Sequence, residues 1–101
     1  RLVVNGNIKC AELIVTSKGW PDYVFDKDYE LKPLEEVEAF INENKHLPGV
    51  PGEQEIIDEG VNVGDMNEIL LKKIEELTLY MIELKKENKE MKSQIKELEK
   101  K

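Results

Sequence analysis

One cysteine, Cys10, and one histidine, His46, stand in a chain of 101 residues. A single thiol excludes an intrachain disulfide and any cysteine-based metal cluster. A single imidazole excludes a His–His zinc pair. Glycine-rich phosphate loops and a Gly-x-Ser-x-Gly elbow are missing. No apolar run approaches the ~20 residues of a membrane span, and no signal-peptide pattern is present, so no membrane insertion is expected for this segment. Positive charge is scarce along most of the chain. Residues 1–82 hold eight Lys/Arg against 17 Asp/Glu, within a net charge of −7 for the whole. Phosphate binding needs a concentrated basic face, so no nucleic-acid partner is expected. Nothing in the sequence implies a cofactor.

What is abundant is charge arranged around a stripe. Leu70, Ile74, Leu77, Met81, Leu84, Asn88, Met91, Ile95 and Leu98 recur at spacings of 4 and 3. A 3.5-residue repeat keeps one stripe facing a partner helix, the requirement of a left-handed coiled coil. Seven lysines and five glutamates alternate over 83–101, as on a solvated coiled-coil exterior. A helix from about Asp65 to Lys101 runs ~55 Å at ~1.5 Å per residue. The residues before it make a body about half that long, so the helix projects. Another copy of the chain is the simplest cover for its stripe. The expected partner is therefore the chain itself, with Leu70 to Leu98 as the oligomer interface. Asn88 occupies an a position among Ile74, Met81 and Ile95, while d holds Leu70, Leu77, Leu84, Met91 and Leu98; this arrangement leans towards two strands. Between Ile69 and Ile82 the helix also carries Leu71, Leu79, Tyr80 and Ile82, a stripe wide enough to pack on a body as well as on partners.

Leu2–Val4, Asn5-Gly6 and Ile8–Val15 read as a strand, a two-residue hairpin turn and a second strand. The alternation in Ile8–Val15 is imperfect, and two strands alone are marginal in water. Trp20, Tyr23, Phe25 and Tyr29 are four of the six aromatics, set within ten residues. They are candidates for the anchor of a small core or for a contact surface. Pro33–Ile41 is a short amphipathic helix, with Leu34, Val37, Phe40 and Ile41 on one face. His46-Leu47-Pro48-Gly49-Val50-Pro51-Gly52 is a stiff loop oriented by His46. Glu53–Glu59 is one or two helical turns closed by Gly60, and Asp65 is the expected cap of the long helix.

The chemistry these residues could carry is thin. Asp26-Lys27-Asp28-Tyr29-Glu30 opens like a calcium loop, but Leu31 stands where glycine is required and Val37 where the closing glutamate belongs. Ser17 beside Lys18 would need a turn to bring nucleophile and base together. No catalytic residue and no metal ligand is assigned, and the chain is expected not to be an enzyme.

The expected fold class is α+β. It comprises short N-terminal β-strands (1–15, the end of a β-fibre repeat), a small mixed α/β body with short helices (16–64), and a long C-terminal coiled-coil helix (65–101). The chain opens at Arg1 on a strand-like run and is read as the end of a longer protein, which leaves a signal or anchor upstream open.

Several blocks carry a resemblance. They are Leu2–Ile8, Trp20-Pro21-Asp22-Tyr23-Val24-Phe25, Leu34–Ile41, His46-Leu47-Pro48-Gly49-Val50-Pro51, and Gly64-Asp65-Met66-Asn67 leading into Leu71–Thr78. Together they resemble a C-terminal module of tail-fibre-like and cell-surface proteins from Bacteroidetes. The layout is also similar to the intramolecular chaperone domains of phage tailspikes. The resemblance implies a fibre end, trimeric in preference to dimeric and parallel, that sets chain number and register at a cell surface or in a virion. Those chaperone domains release themselves with a serine next to an aspartate. Ser17 is followed by Lys18, so the assembly role carries over and the self-cleavage does not. A receptor- or glycan-binding fibre tip is one alternative, and a self-cleaving intramolecular chaperone is the other.

Overall fold

Apolar side chains at Leu34, Val37, Phe40 and Ile41 share one helical face, and the chain coils there. A computed structural model describes residues 1–16 and 23–100, and its first helix, α1, spans Leu34–Asn44. Pro33 occupies the N-cap position without a side-chain cap, and Glu35 and Glu36 lie at the positive end of the helix dipole. The helix runs three residues past Ile41 because its end is satisfied locally. Asn44 Nδ2 donates to Phe40 O at 3.2 Å, and Lys45 enters the left-handed region (φ 63°) with its N–H on Ile41 O.

Leu47–Val50 then closes a tight turn. Pro48 and Gly49 take its middle positions, Gly49 has φ 78°, and Val50 N donates to Leu47 O at 3.2 Å. A proline followed by a positive-φ glycine is the signature of a type II turn. His46 braces it: the ring meets Phe40 edge-on at 5.4 Å, and Nδ1 lies 2.9 Å from Leu47 O. The second helix, α2, covers Glu53–Glu59 and is closed by Gly60 at φ 79°.

The third helix, α3, spans Val63–Glu99 without interruption. Its cap is Asn62, not Asp65: the Asn62 side chain accepts from Asp65 N at 3.1 Å. Asp65 sits in the first turn, where its charge suits the dipole. Val15 reaches this end of the helix, for a Cβ on Gly64 would stand only 2.9 Å from Val15 Cγ1.

The α+β expectation is overturned. Among the described residues there is no strand, and the body between the N-terminal segment and α3 holds helices and turns instead of a mixed sheet. Residues 1–16 are exposed throughout and make no ladder. The hairpin fails at its turn. A type I′ turn needs positive φ at both central residues, but Lys45 is the only non-glycine among the described residues that adopts it, so Asn5 does not. Without the turn, the imperfect alternation of Ile8–Val15 offers no single apolar face to hold a pair of strands together.

The core is minimal. Val24, 1% exposed, is the only buried hydrophobic residue among those described. The chain exposes 9518 Å², where a compact monomer of 11.7 kDa exposes about 5,900 Å². Its radius of gyration is 20.0 Å, against about 13 Å for a globule of this length. The long axis of 72 Å belongs to α3 and what it carries.

Candidate interaction surface

The small body is fastened to one side of α3 by tyrosine hydroxyls. Tyr80 Oη donates to Lys32 O at 2.6 Å, pinning the backbone just before α1. Tyr29 Oη donates to Glu76 Oε2, and Lys73 Nζ donates to Glu76 Oε1 at 3.0 Å. Burial pushes the Glu76 carboxyl upward, but the hydrogen bonds from Tyr29 and Lys73 outweigh it and hold the group below its ordinary range. Burial first, and the bond to Glu76 second, push the Tyr29 phenol well above its ordinary value. Tyr80 is pushed up by burial and by the nearby charges of Glu76 and Glu83. The Tyr23 ring lies 5.7 Å from that of Tyr29, with Lys72 Nζ 5.2 Å from its centroid. Tyr29 thus fastens the body to α3, while Tyr23 beside it is 41% exposed and Phe25 58%. Trp20 lies outside the described residues, as do Ser17 and Lys18.

These fastenings use Lys72, Lys73, Glu76 and Tyr80, and leave the seam clear. All nine seam positions from Leu70 to Leu98 lie on α3 and are exposed. The apolar ones range from 50% at Leu70 and Leu84 to 69% at Met81. No turn of body covers the stripe at any level, including the level of the body itself. Asn88 is exposed in the same line, within a shallow hollow it shares with Met81, Leu84 and the lysines 85, 89 and 92.

Beside the seam, on its body side, runs a groove of about 450 Å³. One wall is α1 with Leu34, Val37 and Ile41; the other is α3 with Lys73, Leu77 and Tyr80; Leu47 and Pro48 also line it. The Gly49 turn abuts the α3 wall, where a Cβ would come within 3.7 Å of Lys73 Nζ.

The seam was legible as a periodicity. The tyrosine–glutamate fastening was not, since only the clustering of the aromatics hinted that they anchor something. Tyr23–Tyr29 forms two consecutive turns, Asp26 N to Tyr23 O and Tyr29 N to Asp26 O, both at 3.1 Å. Among the described residues no group of three His, Cys, Asp or Glu side chains is placed to hold a metal ion, and no helix is long and apolar enough to cross a membrane. No protein-family model, curated protein or solved structure matches the chain.

Proposed function

We propose that this chain is a homo-oligomerisation and assembly domain, chaperone-like in the sense that it brings the copies of a fibrous surface or virion protein together in parallel and in register. The observation that carries the reading is the continuous exposure of the seam from Leu70 to Leu98 beside a body that packs on a different face. A helix belonging to a monomeric fold turns its apolar stripe towards its own core. This one turns a heptad stripe away from it.

The magnitudes favour association. Covering each of the eight apolar seam residues, already about half shielded by their own helix, returns about 1 kcal/mol. Over two chains that is on the order of 16 kcal/mol, above the ~4–15 kcal/mol of translational and rotational freedom lost in one association. Three chains are preferred to two on the resemblance to fibre-end modules; Asn88 at an a position is the counterweight. Sedimentation equilibrium on the chain tests both points. A single species of three times the chain mass is expected, and a monomer across the micromolar range overturns the reading.

A second reading, a fibre tip that binds a receptor or glycan, is favoured by the outward Phe25 and the partly open Tyr23 ring. Glycan-array binding that is lost in Phe25→Ala, with oligomeric mass unchanged, would select it.

A further inference from the structure

Beyond the body the charges of α3 alternate along the sequence but not around the axis. At about 100° per residue, Lys85, Lys89, Lys92 and Lys96 fall along one flank of the seam, and Glu83, Glu87, Glu90 and Glu97 along the other. Glu99, in the last turn, is the exception on the lysine flank. All these residues are exposed, and among the described residues none of them forms an ion pair within its own chain. Each flank therefore repeats one sign at spacings of three and four, as in Lys85, Lys89, Lys92 and Lys96 or in Glu83, Glu87 and Glu90. Like charges at those spacings destabilise a lone helix. A helix suited to stand by itself in water alternates the signs there.

We infer that the two flanks pair between copies, the glutamate flank of each chain against the lysine flank of the next, with Glu87 meeting the next copy's Lys92, and that this pairing is what sets the copies parallel. This rests on the oligomer proposed above and supplies the device that orients it. On the heptad in which Asn88 is a, Glu87 is g, and Lys85 and Lys92 are e. Parallel helices pack g of one chain against e of the next, where opposite charges select partner and orientation. In a cyclic arrangement every copy offers one flank of each sign, so every seam is bordered by unlike charges. Antiparallel helices pack like flank on like flank. The lysine flank then meets lysines or, with the helices slid to full overlap, Leu71 and Thr78, and never the glutamate flank. The charge complementarity thus fits a second copy in one orientation.

Two charge reversals test it. Glu87→Lys relieves the like charges of Glu83 and Glu90 on its own helix, and Lys92→Glu relieves those of Lys89 and Lys96, so within one chain each change is favourable. A loss of stability in either comes from the neighbour. At low salt and oligomer-forming concentration each single variant is expected to melt several degrees below the unaltered chain. Both changes in one chain are expected to recover most of that loss. Positions 87 and 92 lie about 140° apart on one helix, so the recovery cannot arise within a chain. Single variants that melt at or above the unaltered chain overturn the inference, as does a double variant no better than the singles. Leu98→Cys in a Cys10→Ser background reads the orientation directly, and a disulfide between copies is expected in a glutathione redox buffer. No such link at unchanged oligomeric mass overturns the parallel pairing and leaves the oligomer standing. If the unaltered chain sediments as a monomer, both readings fall.

Discussion

Tyr29 and Glu76, 47 positions apart in the sequence, are joined by a hydrogen bond from the phenol to the carboxylate. This contact sets the azimuth at which the body sits on α3. Glu76 also accepts from Lys73, so its carboxylate is held from two sides. The body takes the Glu76 side of the helix, and the Leu77 side is left for something else.

Removing the phenol should loosen the body. Tyr29→Phe is expected to cost about 1–2 kcal/mol, read as a lower denaturation midpoint at unchanged oligomeric mass. An unchanged midpoint would show that the contact holds nothing.

The same pair makes stability depend on pH at both ends. Glu76 is held below its ordinary 4.5, so its contribution is complete above about pH 4.5 and is lost as pH falls through the depressed value. Tyr29 is raised from 10.0, so its contribution is complete below pH 10 and is lost as pH rises beyond it. Tyr29→Phe should flatten both limbs of melting temperature against pH. Equal limbs in the two proteins would place the titrating groups elsewhere.

Leu77→Asp should dissociate the oligomer. It puts like charges into a d layer, where desolvation and repulsion cost several kcal/mol. Retention of wild-type mass by light scattering would show that the seam is not the interface.

Deleting residues 83–101 removes five exposed seam layers, from Leu84 to Leu98, and leaves the body fastened at Tyr29 and Tyr80. A folded, weaker oligomer is expected by circular dichroism and sedimentation. An unfolded chain, or an oligomer of undiminished stability, would refute it.

Asn88→Ile should raise the melting temperature and broaden the distribution of oligomers in native mass spectrometry, because an apolar a position tolerates more than one state. Higher stability with a single unchanged mass would assign the choice of chain number to the body.

Helices were readable from the sequence where their signals are local. Glu53–Glu59 with Gly60 behind it, the start of α1 at Leu34 and the long seam all follow from spacing and caps within a few residues. The strands were misread because a strand depends on a neighbour. Asn5-Gly6 states a preference for a turn, and nothing in the chain holds Leu2–Val4 against Ile8–Val15 once Asn5 declines the left-handed conformation. The cap of α3 lies three residues before the expected Asp65, because the Asn62 side chain already accepts from Asp65 N and closes the first turn. The side of α3 that the body occupies was out of reach. Leu79 is as apolar as Leu77, and the hydroxyls of Tyr29 and Tyr80, with Lys72 over Tyr23, decide between the faces.

Within α3 there is no proline, and its only glycine is Gly64 in the first turn, so the usual sites of a kink or swivel are absent. Body and tail are therefore torsionally coupled. A slip of one residue in one chain's alignment would turn the body fastened to it by about 100° around the axis and shift it by about 1.5 Å. In the proposed oligomer the tail would work as a keyed shaft, an error of alignment near Leu98 being felt, undiminished, at Tyr29.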